Sequence, residues 1–206
     1  MDPQLHLGRV QILLRRTAEE VLEPGSVADA PLVRFVAYDR RHRMSGWVRL
    51  DAERLTDLLN DHEELLLTDL EVEHLEDGRT RDVERIILRR DDLVAVHATG
   101  PRGDAALWCR TRTHPIALQA GSYLLGGHLH AAPGTDPLAT LDERATMVPL
   151  TDAWIEYWSG EMRTKHSVGT IIVNHRLADW IRIVTDDDLL EGMLRPVPER
   201  YPATTG

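Results

Sequence analysis

The hexapeptides Leu67-Thr68-Asp69-Leu70-Glu71-Val72 and Leu150-Thr151-Asp152-Ala153-Trp154-Ile155 open alike and stand 83 residues apart. At the same offset Leu55 falls on Leu138, Leu58 on Leu141 and Glu53 on Asp136. Upstream, at an offset of 81, Ser45-Gly46-Trp47-Val48 falls on Gly126-Gly127-His128-Leu129. Downstream, at an offset of 85, Ile86-Ile87-Leu88 falls on Ile171-Ile172-Val173. Offsets that drift by two residues each way are what small loop insertions or deletions produce, while the order of matched elements is kept. The chain therefore reads as two copies of one unit.

Each copy reads as mostly β. In the first, Leu32–Tyr38 and Met44–Leu50 have strand composition and flank the charged turn Asp39-Arg40-Arg41-His42-Arg43. Asp51 is placed to cap a short helix carrying Leu55, Leu58 and Leu59. A long strand, Leu65–His74, alternates Thr68, Leu70 and Val72 against Asp69, Glu71 and Glu73. Glu76-Asp77-Gly78 turns the chain into strands Val83–Arg89 and Leu93–His97. Gly100-Pro101-Arg102-Gly103-Asp104 reads as a linker. The second copy then offers strands Leu107–Thr113, Ile116–Gln119 and Ser122–His130, a short helix Pro137–Arg144, and strands Met147–Trp158, Gly169–Asn174 and Asp179–Val184. Ahead of both copies, Leu7–Leu22 has helical spacing, with Val10, Leu14, Val21 and Leu22 as the buried stripe. The expected divisions are an N-terminal helix over 1–30, β units over 31–98 and 105–184, and an acidic, then Pro-containing tail over 185–206.

Composition narrows the function classes. The 206 residues are 42% hydrophobic and 28% charged, with 24 Lys+Arg against 34 Asp+Glu and a net charge of −10. An acidic balance argues against non-specific nucleic-acid binding, which depends on cations that neutralise phosphates. The single cysteine, Cys109, excludes an intrachain disulfide framework and CxxC-type zinc sites. Apolar runs are far shorter than the about 20 residues a membrane span needs, and the first residues lack the pattern of a signal peptide. The expectation is a cytoplasmic protein with no membrane partner and no cofactor. Residues 31–98 carry 11 arginines against 16 acidic residues, whereas 105–184 carry seven of each sign.

The runs Ser45-Gly46-Trp47-Val48-Arg49-Leu50-Asp51, Leu59-Asn60 and Ile87-Leu88-Arg89-Arg90-Asp91-Asp92-Leu93-Val94 give residues 31–98 a resemblance to the Sm-like small β-barrel of RNA-associated proteins. Residues 105–184 share it through the repeat. The resemblance implies two small barrels in tandem behind a helix, and assembly into rings through strand edges. It also implies RNA contacts near Asp51 and Asn60, although a helix-like insertion separates those two here. The Gly and Asn of the family's second motif are Arg90 and Asp92 in this chain. The pattern Gly46-x-Val48, Leu55-x-Asp57-Leu58-Leu59-Asn60 and Leu67-Thr68-Asp69 is also similar to that of a bacterial family without an assigned function.

Candidate chemistry is sparse. His128 and His130 share one strand face, as in the His-x-His of a cupin, and are the candidate metal ligands. Cys109 has the alternating context of a small buried residue. Asp69 and Asp152, at matching places, fit a recurrent structural role better than a catalytic pair. Trp154 and Trp158 lie on one face of the long strand, and Trp158 sits at its tip, which makes them candidate partner anchors. Arg40, Arg41, Arg43, Arg89 and Arg90 are the candidate contacts for an anion. The segment Asp186–Leu194 is placed either to dock on another protein or to pack back through Leu189, Leu190 and Met193. The expected function is a non-enzymatic binding or assembly module that acts on a protein partner or on itself. The alternative is a regulator that binds RNA or a small anion through the arginines of the first unit. Third comes a metal-dependent enzyme built on His128 and His130.

Overall fold

The computed structural model describes residues 30–101, 111–139, 141 and 143–194. The expected helix Leu7–Leu22, Cys109 and the Pro-containing end of the tail lie outside the described residues. Within them the chain is mostly β, as its alternation indicates. The first half holds β1 (Leu32–Tyr38), β2 (His42–Arg49), α1 (Leu55–Asp61), β3 (Glu64–His74), β4 (Arg79–Arg89) and β5 (Ala95–His97). The second holds β6 (Arg112–Ala120), β7 (Tyr123–Ala131), β8 (Met147–Ser159), β9 (Met162–Asn174), β10 (Trp180–Ile183) and α2 (Asp186–Leu194). Single 3-10 turns, Arg90–Asp92 and His175–Leu177, precede β5 and β10. No helix among the described residues is long and apolar enough to cross a membrane.

The strands form one antiparallel sheet in the order β10-β6-β7-β8-β9-β5-β1-β2-β3-β4. This corrects the expectation of two separate barrels. Each half has the same internal order, but neither closes on itself, because β5 pairs with β1 on one side and with β9 of the other half on the other. The strands at the seam are consequently buried on both faces. Along β1, Phe35 and Ala37 enter the core of the first half while Val36 and Tyr38 enter that of the second. Along β9, Ile172 enters the first core and Ile171 and Val173 the second. A strand with two covered faces reads as a continuous apolar run rather than an alternating one, which is how these segments look in the sequence.

Further elements differ from expectation. The helix α1 starts at Leu55 behind Arg54, without a side-chain cap, and Asp51 lies ahead of it. The short helix expected over Pro137–Arg144 is absent among the described residues, which are held instead by i→i+3 bonds from Leu141 N to Leu138 O and from Arg144 N to Leu141 O. Leu138 and Leu141 are three apart, a spacing that a single turn satisfies as well as a helix does. β4 and β9 also begin earlier than their apolar runs. The N-terminal arm of β4 is exposed and charged and that of β9 is polar and largely half-buried, and only the hairpin hydrogen bonds of β3–β4 and β8–β9 reveal them.

The Leu-Thr-Asp repeat marks a bulge. In the first half Asp69 and Leu70 together oppose Gly46, because the register jumps between Ser45 and Trp47. In the second, Asp152 and Ala153 oppose Gly127. Asp69 and Asp152 adopt φ of 49° and 48°, the left-handed region that one class of β-bulge uses. Asp tolerates it better than bulky residues do, because its short side chain bonds locally. The facing glycines leave room for the kinked strand. A Cβ on Gly46 would come within 2.8 Å of Leu70 Cγ and 2.9 Å of Thr68 O, and one on Gly127 within 3.0 Å of Ala153 Cβ and Leu150 Cβ. Gly46→Ala and Gly127→Ala are each expected to destabilise by about 1–3 kcal/mol, the usual cost of overpacking. Asp69→Gly is expected to leave stability unchanged or raise it by up to about 1 kcal/mol. Urea denaturation of the three variants checks both signs.

Candidate functional site

The seam between the halves is short and tightly specified. β5 meets β9 with Ala95 opposite Val173, Val96 opposite Ile172 and His97 opposite Ile171. Asn174 N donates to Val94 O and Ala98 N to Thr170 O, each at 3.0 Å, so the ladder extends one residue past both ends. Asn60, at the end of α1, clamps the first residue of β8. Its amide nitrogen donates to Met147 O, and its oxygen accepts from Met147 N, both at 3.0 Å. The same nitrogen also donates to Thr56 O. The residue that the resemblance associates with RNA is here occupied in joining the two halves. Met147 itself is buried in the core of the first half.

Beside the seam lies a polar and aromatic cluster drawn from both halves. Tyr38 stands 5.3 Å from Tyr157 and 5.7 Å from Tyr123, centroid to centroid. The Tyr38 hydroxyl bonds His97 Nε2 and the Tyr157 hydroxyl bonds His166 Nε2, both at 3.1 Å, while Tyr123 donates to Asp39 O. Arg43 lies among them, 3.6 Å from Glu73, which also accepts from Ser159 at the tip of the β8–β9 hairpin. Burial pushes all three phenols above their ordinary value, so they stay protonated and serve as donors. Burial also works against the charge on Arg43, but Tyr157, Tyr38 and Glu73 outweigh it and hold the guanidinium protonated. His97 is depressed to about 4, first by burial and then by His166 and Arg43. Burial and Arg43 lower His166 as well. Both imidazoles are therefore neutral near pH 7, and a ring with its proton on Nδ1 accepts the phenol's hydrogen bond at Nε2.

The two ends of the sheet differ from the seam. Among the described residues, β4 pairs only with β3 and β10 only with β6. On β4, Ile87 is 47% exposed beside its cross-strand neighbour Leu66, which is also exposed. The repeat counterpart of Ile87 is Ile172, and that residue is fully buried.

The residues singled out by sequence do not form one cluster. Arg40 and Arg41 are exposed at the β1–β2 turn, whose backbone is held by Asp39. Arg43 joins the aromatic cluster. Arg89 and Arg90 lie at the opposite end of β3, where Arg89 pairs in register with Glu64 and Arg90 bonds Asp91 and Asn60 O. Trp154 is 3% exposed and packs beneath α2, where Gly192 approaches its ring and Lys165 sits 4.7 Å above it. The segment Asp186–Leu194 thus packs back on its own sheet, with Leu189 buried and Leu190 exposed. Trp158 is half-buried. His128 and His130 do share a face. His128 meets Asp186 through Nε2 at 3.1 Å and Asp152 through Nδ1 at 3.7 Å, while His130 bonds Thr111 and Thr151. The two carboxylates engage opposite nitrogens of one ring, so they do not converge on a common point. No group of three or more metal-ligating side chains converges among the described residues.

No protein-family model, curated protein or solved structure matches the chain. Sequence reasoning missed Tyr38, Tyr123, Tyr157, His97 and His166 as a group. The repeat alignment carries no signal for them, since Gln119 stands opposite Tyr38 in the alignment and Arg182 opposite His97. It did carry a signal for the edge, in the pairing of Ile87 with a buried counterpart.

Two measurements probe the seam. Asn60→Ala is expected to cost about 1–3 kcal/mol, because it strips a buried backbone N–H and C=O of their partner. Amide exchange in β5 and β9 should accelerate before that in β2 and β3. The depressed imidazoles also set a pH dependence. Below the ordinary value of 6.5 the unfolded chain takes up protons at His97 and the folded chain does not until about 4. Stability is then fully present above 6.5, falls as pH drops towards 4, and levels off below. Urea midpoints across that range should fall less steeply for His97→Gln, which keeps an acceptor for Tyr38 but does not titrate.

Proposed function

We propose that this chain is a non-enzymatic cytoplasmic assembly module, two Sm-like units fused in one polypeptide, that engages protein through the open edges of its sheet. One observation carries the reading. The join between the halves is itself strand addition at an edge, three residues of β5 laid along β9, and the same sheet ends in edges that are unpaired among the described residues. Exposed edges template further strands, and extended segments docked this way gain main-chain bonds together with pockets for alternate side chains. The strand order of each half, with its closing strand beside its first and a 3-10 turn before it, supports the Sm-like comparison.

A second reading rests on Arg43, whose Nε is buried without a hydrogen-bond partner among two phenols and near two neutral imidazoles. A small anion is the ligand that such a guanidinium would take. Arg89 and Arg90 stand away from it, so this reading draws on one arginine of the five and gives no extended surface for RNA.

Native mass spectrometry of the freshly purified full chain tests the proposal. Assemblies made of protein alone are expected, either multiples of this chain or this chain with another. Bound RNA, nucleotide or metal at stoichiometric level would overturn it and identify the ligand class.

A further inference from the structure

One corner of the first half brings two histidines together. His42 opens β2, His74 closes β3, and the two stand directly opposite each other in the ladder. Side chains placed this way in an antiparallel pair project from one face. The ring centres lie 5.2 Å apart, with planes inclined by 58°. His42 is 2% exposed, and its Nε2 is buried without a hydrogen-bond partner. Its Nδ1 is engaged by the Asp39 carboxylate at 3.0 Å, and that carboxylate also accepts from Arg41 N and His42 N. His74 is arranged alike: its Nδ1 meets Asp77 Oδ1 at 3.3 Å, and Asp77 in turn accepts from Arg79 N. A carboxylate that accepts from Nδ1–H fixes the tautomer and leaves the lone pair on Nε2. We infer that His42 and His74 bind one divalent transition-metal ion of the zinc class through Nε2, with Asp39 and Asp77 orienting the two rings.

The spacing suits such an ion. Two imidazoles on one tetrahedral zinc, with Zn–N bonds of about 2.0 Å, have ring centres about 5 Å apart, and that is the separation of His42 and His74. The repeat sharpens the contrast. At the offsets of 81 and 83 the second half has Tyr123 and Tyr157 in these two places, and there both hydroxyls have partners. The first half has a buried nitrogen with none. An unsatisfied buried acceptor is costly, and a bound ion removes the cost. The pair can be reached from solvent, because the His74 side chain is 34% exposed. Imidazole selects zinc, nickel and copper over magnesium and calcium, which take oxygen ligands. With two protein ligands the other positions go to water. Such an ion is held reversibly, so it is supplied in the test rather than sought in the purified chain. It would tie the β1–β2 turn to the β3–β4 hairpin, at the corner where Tyr123 donates to Asp39 O and Gly160 N to Leu75 O. Its effect is to staple the first half where the second rests on it.

The test uses the full chain without an affinity tag, stripped of metal with a chelator. Zinc is added in a calorimetric titration, and copper is added as a probe for electron paramagnetic resonance. One zinc ion per chain is expected, and a copper spectrum with two nitrogen ligands. Zinc at a hundred times its Kd should raise the unfolding midpoint by about 5–10 °C, while magnesium and calcium leave it unchanged. His74→Gln, at a half-buried position that leaves His42 in place, is expected to abolish the zinc-dependent rise and to reduce the copper spectrum to one nitrogen. Asp77→Asn removes no ligand. It should weaken zinc binding by about tenfold, with the metal-free midpoint unchanged and both nitrogens kept in the copper spectrum, and it serves if His74→Gln fails to fold. His128→Gln is expected to bind zinc as the wild type does. Absence of one-to-one zinc binding overturns the inference. So does His74→Gln or Asp77→Asn binding as tightly as the wild type, or a loss of binding in His128→Gln, which would move the ion to the other histidine pair. None of these outcomes bears on how the chain assembles.

Discussion

The antiparallel pairing of Ala95–His97 with Ile171–Val173 is the contact on which the rest of the structure depends. It is only three residue pairs long, yet it merges two five-stranded halves into one sheet and covers the second face of the strands beside it. Phe35 and Ala37 look into one core and Val36 and Tyr38 into the other because β1 lies next to that pairing. Without it, Ile172 and Val96 would be exposed in the way Ile87 is. Burying a side chain of that size is worth about 2 kcal/mol. The seam therefore contributes through the apolar surface it covers more than through its few backbone bonds, and Asn60 fixes the register by holding both polar groups of Met147.

The polar cluster beside the seam follows from the same constraint. Where two halves meet, strand ends from both bring their hydroxyl and imidazole groups into a space that water only partly reaches. Each phenol there has a partner: Tyr38 has His97, Tyr157 has His166 and Tyr123 has the Asp39 carbonyl, while Arg43 Nε has none. Neutral imidazoles are what such phenols need, and the depressed values of His97 and His166 supply them. The paired phenols join residues of both halves and so help to fix how the halves sit together.

Much of the fold was legible because the repeat carries geometry as well as residues. Leu-Thr-Asp identifies two equivalent places, and the structure gives both the same left-handed aspartate, the same bulge and the same facing glycine. The polar arms of β4 and β9 were not legible, since hairpin hydrogen bonds leave no hydrophobic period. Nor was the join between copies. Duplication predicts two similar units but says nothing of which edges meet, and the three residues of β5 are too few to show that both their faces are covered. Trp154 was read as an anchor from its strand face alone, and α2, a helix distant in sequence, is what covers it.

An edge that works inside the chain need not work equally well between chains. The two halves are tethered by the segment between β5 and β6, so their encounter takes place at an effective concentration that a free partner reaches only in the millimolar range. A three-pair ladder suffices under those conditions. The same ladder between separate copies pays the full cost of association. One contact of this kind is weak. The open strand carries the exposed charges of Arg85 and Glu84 beside the exposed Ile87, and charges along an edge discourage pairing with unrelated strands.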